Sequence, residues 1–266
     1  MHSGNLANRT LLARVSAGLL MLLPLVSCGQ SGDDGLPEDV ARGVMEAYQS
    51  GEFDLVIEKT EDVPEGSRWE RIRALSFQKR GEQRFFDCEI EGAIRDFDRV
   101  IEIVPEQDPH HWQRGLAYYY AEEYEKGKAQ FERHQTVNSE DVENAVWHFL
   151  CAVRAPGGSV EKAREDFIPI EHDTRVPMKE VHELFAGTGS SEAVLAAAAS
   201  DEDDGLDERE RNQLCYAHLY LALHFEAVGE VEKMEHHIRL AAQDFAMDHY
   251  MGRTARVHAR LRGVIE

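Results

Sequence analysis

Histidine has the widest chemical repertoire of the residue types in this chain, because it binds metals and transfers protons near neutral pH. The chain contains 13 histidines, but no two lie three or four residues apart, the spacing that presents two imidazoles on one helix face. Glu232 and His236 have that spacing, which a solvated pair on a helix surface explains. The HExxH, GxSxG and phosphate-loop motifs are absent. We therefore predict no catalytic residue, no metal ligands and no cofactor, and keep a metal-dependent enzyme built from scattered histidines only as an alternative.

The first of the four cysteines follows a pattern typical of protein export. Arg9 and Arg14 precede a short apolar run over residues 15–26, which is the order of features in a secretory signal peptide. The sequence from Leu25 to Cys28 (Leu-Val-Ser-Cys) resembles the bacterial lipoprotein box, in which the cysteine is acylated and becomes the first residue of the mature protein.

This resemblance implies three statements about the N-terminal region. Residues 1–27 are a signal peptide, Cys28 carries the lipid, and residues 28–36 are a flexible tether. Position 30 is Gln rather than the Asp that retains some lipoproteins at the inner membrane, which favours the outer membrane, with the chain facing the periplasm. An ordinary cleaved signal followed by an incidental cysteine is the alternative.

The other three cysteines are Cys88, Cys151 and Cys215. An exported chain meets oxidising conditions, so one pair among them is able to form a disulfide. Cys151 and Cys215 lie in apolar helical stretches, where a buried thiol commonly packs as a small apolar side chain. The sequence leaves the pairing open.

The remaining elements are predicted to be helices that repeat at a fixed interval. Phe97 and Phe131 are 34 residues apart, and so are Ala93 and Gly127. This interval is the period of the tetratricopeptide repeat (TPR), and residues 114–131 closely resemble the first helix, turn and second helix of that family. The resemblance implies an all-α, right-handed superhelical solenoid of TPR-like helical hairpins.

The predicted repeat domain spans residues 37–266, although some hairpins are less regular. Ala74–Gly81 is interpreted as a first helix and its turn, which predicts a seven-residue insertion within Glu82–Gly92. Residues 248–262 are predicted to form a C-terminal capping helix, because the last repeat of a solenoid otherwise exposes an apolar face.

The resemblance also implies a binding groove on the concave side, formed by the first helix of each hairpin. Its basic and aromatic side chains would hold a carboxylate or an acidic segment. Alternatively, the three tyrosines at 118–120 simply pack between the repeats. The predicted groove residues are Arg68, Arg71, Gln78, Lys79, Trp112, Leu116, Tyr119, Tyr120 and Arg154.

The net charge of −21 argues against a nucleic-acid partner, because clustered cations are needed to neutralise phosphates. The resulting hypothesis is a protein–protein adaptor or scaffold of the bacterial cell envelope, attached to the membrane only through its lipid. The partner in the groove would be another envelope protein or a peptide. A structural lipoprotein that associates with its own copies is the second hypothesis.

Overall fold

The computed structural model describes residues 35–199 and 207–266, and each regular element in these two stretches is a helix. The all-α class predicted from the sequence is therefore confirmed for this part of the chain. The predicted signal peptide, Cys28 and most of the predicted tether lie outside the described residues.

Thirteen α-helices follow one another along the described part of the chain. The first seven are α1 (Glu38–Ser50), α2 (Phe53–Lys59), α3 (Arg68–Phe86), α4 (Ile90–Ile103), α5 (Trp112–Tyr120), α6 (Tyr124–Gln135) and α7 (Val142–Arg154). The other six are α8 (Val160–Glu165), α9 (Met178–Ala186), α10 (Ser191–Ala198), α11 (Glu208–Ala227), α12 (Val231–Arg239) and α13 (Tyr250–Leu261). A 3₁₀-helix spans Pro105–His110 and a π-helix spans Leu240–Asp244.

Most contacts join helices that are neighbours in the sequence, as in α3 with α4, α5 with α6 and α11 with α12. The C-terminal helix α13 is different, because it contacts α12 and α11 but also reaches back to α3. None of the helices in the described stretches is both long enough and apolar enough to cross a membrane.

Two hairpins repeat the same packing at the 34-residue interval found in the sequence. A β-carbon on Gly115 of α5 would lie 2.6 Å from Phe131 of α6, and a β-carbon on Gly81 of α3 would lie 2.6 Å from Phe97 of α4. Both phenylalanines are fully buried. A glycine on the first helix therefore lets each hairpin close over the ring of its second helix.

The turns of these two hairpins also match. Cys88 and Glu122, which are 34 residues apart, both have a positive φ, at 63° and 61°. This backbone conformation is uncommon for residues other than glycine, so its recurrence shows that the two turns share one geometry. The predicted insertion within Glu82–Gly92 is wrong, since α3 continues through Gly81 to Phe86 and the turn begins only at Asp87.

The three cysteines in the described stretches are free thiols. Cys151 packs close to Gly127, where an added β-carbon would lie 2.8 Å from its Sγ atom. Burial raises the pKa of Cys215 to about 12, so this thiol stays protonated and unreactive. Cys151 and Cys215 thus pack as small apolar side chains, as one of the two predictions for them states.

Replacing Gly115 by alanine tests the repeated glycine–phenylalanine packing. We expect Gly115→Ala to lower the free energy of unfolding by about 1–3 kcal/mol, because the new methyl group overpacks a filled core. Gly43→Ala on α1 is the matched control, since no atom of the described residues lies within 4 Å of its added β-carbon; it should raise stability by about 0.4–1 kcal/mol. Urea denaturation of both variants measures the difference, and equal stabilisation by the two changes would contradict the packing argument.

Candidate functional site

Four aromatic side chains at the C-terminal part of α3 and on α5 contact rings of the C-terminal helix α13 and are named here the aromatic surface: Phe85, Phe86, Trp112 and Tyr120. The rings of Phe85 and Phe86 are 5.5 Å apart, and those of Phe85 and Tyr120 are 5.9 Å apart. The edge-to-face and tilted arrangements are those that aromatic pairs prefer. Phe85, Phe86 and Tyr120 are thus packed against one another, and Trp112 is joined to them through Tyr250 of α13.

Two of these rings, Phe85 and Phe86, were not among the residues predicted from the sequence. They lie 34 residues before Tyr119 and Tyr120, so the repeat interval itself contains the signal. The prediction missed them because it took Gly81 as the end of the helix rather than as the counterpart of Gly115.

The structure places the predicted groove residues in three different environments. Leu116, Tyr119 and Gln78 are buried in the protein, with exposed fractions of 0%, 1% and 1%. Three others, Trp112, Tyr120 and Lys79, are partly buried. The exposed ones are Arg68, Arg71 and Arg154. The expectation that all nine line one open groove is therefore corrected.

The C-terminal helix α13 covers the aromatic surface. The Tyr250 ring lies 4.7 Å from the Phe86 ring and 4.6 Å from the Trp112 ring. The guanidinium group of Arg253 lies 3.6 Å from the centre of the Phe86 ring, within the range of a cation–π contact. The capping helix predicted for residues 248–262 is thus a helix, and it packs against α3 and α5 as well as against its neighbour α12.

The other end of α13 is fixed by a buried carboxylate, Glu226, near the end of α11. Its side chain is 7% exposed, and it accepts a hydrogen bond of 2.6 Å from the Tyr119 hydroxyl. It also forms ion pairs with Arg262, just after α13, and with Arg154 at the end of α7. A single carboxylate therefore connects α5, α7, α11 and the end of α13.

A buried imidazole, His258, lies beside this carboxylate. Its Nδ1 atom is 3.1 Å from the Tyr120 hydroxyl, and its Nε2 atom is 3.8 Å from Glu226. Burial lowers the pKa of His258 to about 4, helped by the charges of Arg262 and Arg154 and opposed by Glu226. The imidazole is consequently neutral at pH 7.

The pKa of Glu226 is lower than usual in spite of its burial. Burial raises it, but His258, Arg262 and the hydrogen bond from Tyr119 outweigh that effect. Because His258 is neutral at pH 7, the positive charge that holds the carboxylate ionised comes from the arginines. This is the condition under which a buried charge is tolerated.

The basic residues of the predicted groove do not form one cluster. Arg68 and Arg71 lie in the first turn of α3, whereas Arg154 lies in the last turn of α7. Lys79 forms an ion pair with Glu82 at 3.0 Å. The charges of Lys79 and Arg154 are thus balanced by acidic neighbours within the chain.

A pocket of about 380 Å³ opens where the C-terminal ends of α7, α11 and α13 meet. Arg154, Glu226 and Arg262 line its polar side, and Val231 and Met234 line its apolar side. Val231 is 56% exposed, so the apolar wall of this pocket is open to solvent. The pocket belongs to the same group of residues that holds the end of α13.

The histidines do not form a metal site in the described stretches, where no three His, Cys, Asp or Glu side chains are grouped to hold an ion. The closest pair is His218 and His237, whose Nδ1 atoms are 2.8 Å apart. Burial is the main reason why the pKa of each is lowered to about 4. The two neutral rings form one hydrogen bond with each other, and they stack on Phe245 and Phe225. The pair is therefore part of the packing between helices.

No protein-family model matches the chain, and no curated protein matches it in a sequence search.

Acidification tests the position assigned to His258. The unfolded chain binds a proton at this side chain below a pH of about 6.5, but the folded chain does so only below about 4. Stability therefore falls as the pH falls through this window, and His258 should account for a loss of about 2 kcal/mol between pH 7 and pH 5.

The measurement is urea denaturation at pH 7 and pH 5. His258→Asn keeps a partner for the Tyr120 hydroxyl and should reduce the loss by about 2 kcal/mol relative to the original chain. His172→Asn is the control, because the His172 side chain is 78% exposed. An unchanged pH dependence in His258→Asn would show that this ring is not kept neutral by burial.

Proposed function

We propose that the chain is a protein-binding module built as a right-handed solenoid of TPR-like hairpins. It serves as an adaptor in the bacterial cell envelope, and it is exported and anchored by a lipid on Cys28. The observation that carries this proposal is that the aromatic surface, formed by first helices of successive hairpins, accommodates a helix.

The repeated packing supports the solenoid. The matched positions are Gly81 with Gly115 and Phe97 with Phe131, together with the positive φ shared by Cys88 and Glu122. Stacked hairpins of this kind place their first helices side by side and create an extended surface, which is the ordinary binding surface of such proteins.

The occupation of the aromatic surface by α13 supports the binding role. Trp and Tyr side chains are enriched in the energetically dominant parts of protein interfaces, because they bury a large area with few rotatable bonds. Exposed Arg71 and partly buried Lys79 lie on α3 before Phe85 and Phe86, the residues of this helix whose rings contact Tyr250 of α13. These two positions are therefore accessible to a partner without any change of structure.

Site-specific photo-crosslinking in intact cells tests the adaptor proposal. A photoreactive amino acid at position 71 or 79 should capture one recurring partner protein, whereas exposed positions 125 on α6 and 232 on α12 should not capture it. The same proteins captured from all four positions would contradict the proposed surface.

Replacement of Cys28 tests the anchor. Cys28→Ser should prevent incorporation of labelled palmitate and release the protein from the membrane fraction, because serine lacks the sulfur that carries the lipid. Cys88→Ser is the matched control, since Cys88 is a partly buried thiol of the helical domain, and it should still be labelled. A Cys28→Ser protein that keeps both the label and its membrane association would exclude lipidation at this position.

A further inference from the structure

The charge of α13 is opposite to that of the chain as a whole. Residues 250–262 contain four arginines and no acidic residue, whereas the full chain has a net charge of −21. The basic helix thus lies against a strongly acidic protein, where its arginines are attracted by the surrounding field.

The contacts of α13 follow the pattern of an amphipathic helix that binds in a groove. Tyr250 contacts the aromatic surface at one end of the helix, and His258 contacts Tyr120 two turns later. Arg262 then pairs with Glu226. When an amphipathic helix of one protein binds a groove of another, it is recognised through side chains that recur at helical spacing along one face.

Two acidic groups, Glu82 and Glu226, lie near the two ends of α13, and each also has a basic partner outside this helix, Lys79 and Arg154 respectively. The charge of Glu82 raises the pKa of the Tyr250 hydroxyl, although burial is the larger cause, so Glu82 is close to the first turn of α13. Glu226 lies at the last turn. A helix needs an aromatic residue near its start and basic residues along its length to fit this arrangement.

We propose that the aromatic surface binds a basic amphipathic helix of another protein, and that α13 is the intramolecular occupant with which this helix competes. The inference rests on the proposed function and specifies the chemistry of its partner. Because α13 is covalently attached, its effective concentration is high, and a partner binds weakly until the docking of α13 is loosened.

A fluorescent peptide with the sequence of residues 248–266 is the probe, and anisotropy with the purified full chain measures its binding. Arg253→Glu in the chain removes the cation–π contact of α13 and should tighten binding of the unchanged peptide by about tenfold. The same substitution in the peptide should weaken its binding to the unchanged chain by about tenfold. Arg256→Glu is the charge-matched control, because Arg256 pairs with Asp248 of its own segment, and its effects should be much smaller.

A second variant retains the folded core. The Tyr250 hydroxyl is buried and has no hydrogen-bond partner among the residues that the structure describes, so Tyr250→Phe should strengthen docking by removing the cost of an unsatisfied polar group. Tyr250→Phe in the chain should weaken binding of the unchanged peptide by about tenfold. The same substitution in the peptide should tighten its binding to the unchanged chain by the same factor. Circular dichroism confirms that each variant is folded.

Opposite effects of the same change in the chain and in the peptide support competition for one surface. The proposal is overturned if the peptide binds all chain variants equally or does not bind. If the peptide fails while photo-crosslinking at positions 71 and 79 still captures a specific partner, the adaptor function stands and only the helix-binding inference falls. A dimer of the chain in sizing chromatography that the peptide dissociates would show that the occupant is the α13 of a second copy, and it would also overturn the proposal.

Discussion

The structure depends most on one buried carboxylate, that of Glu226. Burying a charge is costly unless it is paired and hydrogen-bonded, and the partners of Glu226 come from helices far apart in the sequence. Tyr119 lies 107 residues before it and Arg262 lies 36 residues after it. Most of the other contacts join neighbouring helices and do not by themselves determine where the C-terminal helix lies. The need to compensate this charge ties α13 to α5 and α7.

The local packing and the long-range contact stabilise the protein in different ways. Gly81 and Gly115 each set the distance between the two helices of their own hairpin, and this packing does not depend on the other hairpin. The contacts of Glu226 and Tyr250 need several hairpins to be in place before they form. Because non-local contacts must overcome the entropy of closing a long loop, they are made by strong interactions: charge-assisted hydrogen bonds and large aromatic rings.

The sequence predicted the features that arise from local periodicity. The all-helical class, the hairpin over residues 114–131 and a helix at 248–262 are present in the structure. The C-terminal end of α3 was predicted wrongly. Gly81 follows Lys79 and Arg80, a composition typical of the end of a helix, and only its 34-residue spacing from Gly115 shows that it lies inside the helix. The path of α13 back to α3 has no periodic signal, since it depends on side chains that meet only after folding. For that reason Leu116 and Tyr119 were expected at an open groove, and they are buried instead.

The charge pattern has a different meaning in the folded protein than in the sequence. Basic residues among many acidic ones indicated a surface that attracts acidic groups. In the structure Lys79 is balanced by Glu82, and Arg154 by Glu226, so these cations contribute little net field. Glu82 and Glu226 lie near the two ends of α13, which is an arginine-rich segment in an otherwise acidic chain. The charge that a surface presents to a partner therefore depends on which of its ions are already paired, and the net charge of −21 is what favours the arginines of α13 over the whole molecule.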